Sequence, residues 1–152
     1  MNQMEKVHYT AKVHTTGGRD GGTSRSSDGH LDIKLSVPGT PGTGTNPEQL
    51  FAAGWSTCFL TSIKIVAGRM KVNIPSELAV DADVDLCRDD SGFFLQARIN
   101  VTLPGMAHDL AQTLVDEADM TCPYSKATRG NIHVAICVAT TSVNLSASAK
   151  VA

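Results

Sequence analysis

An α+β architecture follows from three observations on the 152-residue sequence. Several segments alternate apolar and polar residues with a period of two, two stretches carry helical periodicity, and the order is strands, helix, strands, helix, strand. A doubly wound parallel fold needs strict alternation instead. The length suits one domain with its own core, drawn here over residues 1–145, with 146–152 as a flexible C-terminal tail.

In chain order, Val7, Tyr9, Ala11 and Val13 alternate with His8, Thr10, Lys12 and His14, and Leu31, Ile33, Leu35 and Val37 repeat the pattern. Two half-buried strands are expected. Between them Thr-Thr-Gly-Gly-Arg-Asp-Gly-Gly-Thr-Ser (15–24) reads as a long hairpin connection. Its Arg19 is either solvated loop surface or an arginine delivered into a site. A second turn-rich segment (38–45) ends at Asn46-Pro47-Glu48-Gln49, where Asn caps, Pro suits the first helical position and Gln follows three residues after the cap. The spacing predicts a helix from Pro47 to about Arg69, nearly uncharged from Leu50 to Ile63. A helix apolar around most of its circumference is buried around most of it, by sheet or by a second subunit.

Val80, Ala82, Val84 and Leu86 alternate with Asp81, Asp83 and Asp85 in an amphipathic strand with one wet face. Residues 92–103 form the next strand, stopped by Pro104-Gly105. Leu110, Leu114, Val115 and Ala118 have helical spacing within 107–120, and Cys122-Pro123 ends that helix. A last strand covers 131–140, with Ile132, Val134, Ile136 and Val138 on one face.

Thirteen Lys and Arg stand against 15 Asp and Glu, for a formal net charge of -2. Scattered as they are, they build no basic field for phosphate backbones, so nucleic acid is not an expected partner. The sequence reading finds no apolar run of about 18 residues to span a membrane and no secretory leader, which points to a cytoplasmic protein. In that compartment the four cysteines are expected to be reduced, reactive or buried rather than a structural disulfide framework.

Cys137, mid-strand between Ala135 and Ala139, reads as a small core residue. Cys87 shares a strand face with Asp81, Asp83 and Asp85, whose charges disfavour a thiolate. Cys58 lies in the middle of the long helix, about three turns from its start and too far for the helix dipole to act strongly. It is either a buried structural thiol or one activated from elsewhere in the fold. Bringing a thiol from about 8.5 to about 6 takes about 3.4 kcal/mol. One close arginine supplies about 4 kcal/mol at an effective dielectric near 20, before desolvation is subtracted. Cys122, at a helix end before Pro-Tyr-Ser, suits the resolving half of a peroxidatic and resolving pair.

Two segments, Asn46-Pro-Glu-Gln-Leu-Phe-Ala-Ala-Gly-Trp-Ser-Thr-Cys-Phe59 and Cys122-Pro-Tyr-Ser-Lys-Ala-Thr-Arg-Gly-Asn-Ile132, resemble the two cysteine motifs of the OsmC/Ohr family, in its organic hydroperoxide resistance branch. Gly17-Gly-Arg-Asp-Gly21, Ser27-Asp-Gly29 and Leu103-Pro-Gly105 extend the resemblance over about residues 7–140. It implies an OsmC-like fold, antiparallel sheets around a long buried central helix in an intertwined homodimer. It further implies a thiol peroxidase that reduces organic hydroperoxides to alcohols. In that pattern Cys58 matches the peroxidatic cysteine, Cys122 the resolving one, Arg19 the active-site arginine and Glu48 the carboxylate that orients it. A dithiol, chiefly dihydrolipoyl groups on lipoylated proteins, is the implied reductant, with no metal, flavin or haem.

Glu48 and Cys58 are ten residues apart on one helix, about 15 Å along its axis. If both serve one site, Glu48 comes from a second subunit. Phe51, Trp55, Phe59, Phe93 and Phe94 then offer an apolar entrance, although each taken singly reads as core. The chain departs from the family pattern at Trp55-Ser-Thr57, where Tyr-Ala-Ala or similar is common, and at Cys87, Asp119 and Lys126. Thr128 and Arg129 either hold the segment carrying Cys122 or simply cap a helix. Two rival readings use the same residues: a non-catalytic redox sensor switched by Cys58 and Cys122, and a metal module built from the cysteines with His8, His14, His30, His108 and His133. Ligand spacing speaks against the second, since Cys-x-x-Cys and His-x-x-x-His arrangements are both missing.

Overall fold

The computed structural model describes residues 5–141; the tail expected at 146–152 lies outside them. Among the described residues the order is β1 (Val13–Thr16), β2 (Thr23–Ser26), β3 (Asp32–Lys34), α1 (Pro47–Met70), β4 (Ala79–Asp89), β5 (Gly92–Thr102), α2 (His108–Thr121), α3 (Pro123–Thr128) and β6 (His133–Ala139). The chain divides into two compact units, one ending at Leu50 and the other beginning at Phe51, so the boundary falls inside α1.

The first unit is an antiparallel meander, β1-β2-β3, with Val13 opposite Ser26 and Ser24 opposite Ile33. Two expectations change here. The first strand begins only at Val13, and Val7 and Tyr9 are 76% and 79% exposed. Alternation alone does not make a strand whose backbone groups find no ladder partner. Overlapping the end of the supposed hairpin connection, Thr23–Ser26 is itself the central strand, invisible to apolar patterning because all four side chains are polar. The turn before it is possible because Gly17, Gly18 and Gly21 adopt positive φ, while a Cβ on Gly22 would collide with the carbonyls of Thr16 and Gly18. A Leu35–Thr45 bridge closes the second turn-rich segment, and Asn46 caps α1 by accepting the Gln49 backbone N–H at 2.9 Å, as its sequence predicts.

In the second unit the sheet order is β4-β5-β6. The register stacks Val84, Ala97 and Val134, then Ala82, Ile99 and Ile136, then Val80, Val101 and Val138 on one face. Trp55, Phe59 and Ile63 of α1 and Ala111, Val115 and Ala118 of α2 pack on that face, with Cys122 in the same core. The amphipathic β4 is as expected, apart from Leu86, 46% exposed toward the hairpin end. The sheets are not all antiparallel, however: β6 runs parallel to β5, and α2 and α3 form the crossover that parallel pairing requires.

Proline 123 does stop α2, but it also starts α3 at its first position. Cys122 therefore stands alone between two helices, in extended geometry with φ -66° and ψ 121°. The helix α1 matches its predicted bounds within a residue. By length and composition it is also long enough and apolar enough to cross a bilayer, which the sequence reading did not find. Trp55, Phe59 and Ile63, all at 0% exposure, put that apolarity into the core. Within the single chain burial does not extend around the helix, since Thr57, Thr61, Lys64 and Ile65 are exposed.

Candidate functional site

The core packing just described brings together two thiols that lie 64 positions apart. Cys122 Sγ is 3.4 Å from Cys58 Sγ, and both thiols are free. Cys122 is fully buried, whereas Cys58 is partly open. Their elements fix this approach from three directions. Gly54, one turn before Cys58, has no side chain where Tyr124 lies; a Cβ there would stand 2.6 Å from the Tyr124 hydroxyl oxygen. The Tyr124 ring meets Phe51 edge to face at 6.1 Å. Deeper in, the Trp55 indole N–H donates to Ser125 Oγ at 3.2 Å. The Ser62 hydroxyl donates to the Cys58 carbonyl at 3.0 Å, and Ser56 bonds back to the Ala52 carbonyl. The helix backbone thus engages both hydroxyls.

Burial pushes the Cys58 thiol above its ordinary pKa; the Tyr124 backbone N–H acts against this by favouring the thiolate, and the neighbouring Cys122 raises the value again. The net direction is upward, opposite to the lowering expected from an arginine. The physical reason is that, of the groups acting on Cys58, only the Tyr124 amide favours the thiolate, and none of them is a cation that would offset desolvation. Beside this corner an apolar cleft of about 460 Å³ is lined by Phe51, Leu95, Pro123, Tyr124, Ala127 and Ile132, among others.

Arg19 and Glu48 form a second centre within the first unit. Arg19 Nη1 and Nη2 donate to the two Glu48 carboxylate oxygens at 2.8 and 2.5 Å, a bidentate fork. Glu48 stands in the first turn of α1, where the helix dipole also favours a carboxylate. The guanidinium holds the Glu48 carboxyl below its usual range, and the carboxylate in turn raises the Arg19 value.

Other expectations are corrected. Cys137 is exposed rather than core, because its register partner is Asn100 and both point away from the helices. Trp55 and Phe59 belong to the core and not to an entrance, while Phe93 and Phe94, at 69% and 42% exposure, lie at the β4–β5 hairpin end. Only Phe51 of that group lines the cleft. Arg129 does hold the Cys122 segment: its Nη2 donates to the Asp119 carbonyl at 2.8 Å and to the Asp119 carboxylate at 3.3 Å. Among the described residues, no three His, Cys, Asp or Glu side chains gather as a metal site. Sequence reasoning missed Tyr124 and Ser125; the Cys-Pro start of a new helix was the signal that could have found them.

A mixed sheet covered on one face by helices, with two unbonded thiols at the corner of its crossover, defines an α+β dithiol protein. The family can now be given. Residues 39–136 match the OsmC-like protein family model, and the chain belongs to that family. It is 47% identical over 143 residues to an organic hydroperoxide resistance protein of Xanthomonas axonopodis pv. citri, covering 91% of this chain and 100% of that one. Identity to OhrA, an organic hydroperoxide resistance protein of Bacillus subtilis, is 41% over 143 residues, covering 90% and 99%. The crystal structure of OhrB from Bacillus subtilis superposes with a TM-score of 0.80 at 40% identity, covering 86% of this chain and 98% of that one.

Proposed function

We propose that this chain is a thiol-dependent peroxidase that reduces organic hydroperoxides to alcohols as a cytoplasmic homodimer, with residues 1–145 acting as one domain. The observation that carries the reading is the 3.4 Å separation of the Cys58 and Cys122 sulfurs. The organic hydroperoxide resistance names of relatives at 41% and 47% identity support it, as does the apolar cleft beside Tyr124.

The Cys58 thiolate attacks the terminal peroxide oxygen and breaks the O–O bond. Its sulfur is oxidised to a sulfenic acid, and the alkoxide leaves with a proton as alcohol. Cys122 then condenses with the sulfenic acid, releasing water and forming the Cys58–Cys122 disulfide before further oxidation of Cys58. A dithiol of the dihydrolipoyl class, carried by a lipoylated protein, takes over the disulfide and restores both thiols. The redox equivalents reside in the cysteines, so the cycle needs no cofactor. The upward push on Cys58 within its own chain has to be offset by a cation. Arg19 fills that role, aligned by Glu48, and the ten-residue spacing of Glu48 and Cys58 along α1 favours their delivery by a second copy of the chain. There Arg19 stabilises both the thiolate and the charge developing on the leaving oxygen.

The test is thiol counting and non-reducing intact mass after one equivalent of cumene hydroperoxide. Wild type should lose two thiols as a Cys58–Cys122 disulfide, Cys122→Ser should stop at a sulfenic or higher acid, and Cys58→Ser should be inert. A wild-type Cys58 that stays reduced defeats the reading.

A further inference from the structure

Trp55 is the only tryptophan of the chain, is fully buried, and lies one turn before Cys58 on α1. Its indole N–H has one acceptor, the Ser125 hydroxyl at 3.2 Å. Ser125, itself 3% exposed, is three residues beyond Cys122 and belongs to the first turn of α3. The two thiol-bearing segments are thus tied by a hydrogen bond one turn from the thiols themselves, in a setting where a lost partner is costly. Tyr124, seated over Gly54, ties the same turn from the solvent side.

Such a tie matters for bond formation. A disulfide needs about 2.05 Å between sulfurs, so the pair must close by a little over 1 Å from its 3.4 Å contact. Cys122 sits between α2 and α3 in extended geometry and can make that approach only if the start of α3 stays registered on α1. A groove of about 320 Å³, lined in part by Trp55, Ser125, Arg129 and His133, leaves room behind this turn into which α3 could drift if untied.

We propose that Trp55 is a positioning residue, whose hydrogen bond to Ser125 keeps the first turn of α3 on α1 and so holds Cys122 within bond-forming reach of Cys58. This rests on the Cys58–Cys122 pair of the proposed function but not on the hydroperoxide. Its test therefore uses an oxidant that any dithiol accepts. In glutathione disulfide buffer, the protein dithiol gives up two electrons and two protons, forming the Cys58–Cys122 bond and two molecules of glutathione.

The equilibrium constant of that exchange is measured for wild type, Ser125→Ala, Ser125→Thr, Trp55→Phe and the Trp55→Phe/Ser125→Ala pair. Ser125→Ala and Trp55→Phe should each shift it at least threefold toward the dithiol. Ser125→Thr, which keeps the hydroxyl, should stay within twofold of wild type, and the double variant should be no worse than the poorer single one. Folded single variants with a wild-type constant overturn the proposal. A double variant showing the product of both single effects also overturns it, because packing rather than the bond would then be at work. Wild type alone gives a further check by NMR: its one indole N–H signal should be protected from exchange in both dithiol and disulfide forms. Rapid exchange in either form overturns the proposal. A chain that forms the disulfide in glutathione yet ignores cumene hydroperoxide would defeat the peroxidase reading and leave this one standing.

Discussion

The Arg19–Glu48 ion pair and the Cys58–Cys122 thiol pair are held by opposite means. The ion pair hangs from a glycine-rich turn and the first turn of a helix, with side-chain exposures of 38% and 14%. Its geometry comes from a charged fork whose strength depends on pH and ionic strength. The thiols are fixed by neighbours: a core on one side, an indole on another, and a glycine shaped to a tyrosine on the third. One centre is positioned by charge and the other by volume. Under the proposed mechanism, the sulfur chemistry should survive conditions that detach the arginine, with a loss of rate rather than of competence.

The largest test of that contrast removes the sulfur itself. Cys58→Ser should lower steady-state reduction of cumene hydroperoxide by at least about a thousandfold, whereas Cys122→Ser should retain the first oxidation event and lose turnover. Next comes the charge. Arg19→Ala should slow peroxide consumption at pH 7 by roughly ten- to a hundredfold and move the acid limb of the pH–rate profile, where the thiolate forms, to higher pH, because burial then acts on the Cys58 thiol without an opposing cation. An unchanged profile would detach Arg19 from the chemistry. Volume is probed by Gly54→Ala, whose new methyl meets the Tyr124 hydroxyl. Urea unfolding should show a net loss of at most about 2 kcal/mol, the cost of overpacking being offset by the roughly 1 kcal/mol that alanine gains over glycine inside a helix.

The smallest effect is the acid response of the ion pair. Arg19 depresses the Glu48 carboxyl value, so the pair contributes stability above the ordinary glutamate range, and that contribution is lost as pH falls through the depressed folded value. Wild type should accordingly outlast Glu48→Gln in denaturant at pH 6, with the gap closing as pH falls below about 4. A gap that widens toward acid would reverse the sign and remove Arg19 as the cause.

Most of the second unit was legible from its residues. Beta-strands β4 and β5 and helices α1 and α2 follow from alternation, helical spacing and the Asn46-Pro47 start. The first unit was less legible because its ladder is written in polar residues, as in Thr23–Ser26, and because Val7 to Ala11 alternate without a partner strand in the described chain. Cys137 was misread since an alanine-flanked thiol looks internal from either face; only its register with Asn100 shows which way it points. Nothing in spacing could bring residues 58 and 122 together; their local settings suit a peroxidatic and a resolving thiol, and the family resemblance assigns those roles to them. The Trp55–Ser125 bond was out of reach for the same reason: it joins side chains 70 positions apart across a crossover that alternation does not encode.

The Cys58–Cys122 disulfide of the proposed cycle would close a long stretch of chain. With 64 positions between the cysteines, loop-closure entropy removed from the unfolded state amounts to about 4 kcal/mol. For a chain of this size that is roughly ten degrees of melting temperature. Under the proposed cycle the oxidised protein would be the more heat-resistant form, and reduction would return it to a softer state. On that reading thermal tolerance would become a record of oxidative load: a population caught with its reductant exhausted would be sturdier, and idle.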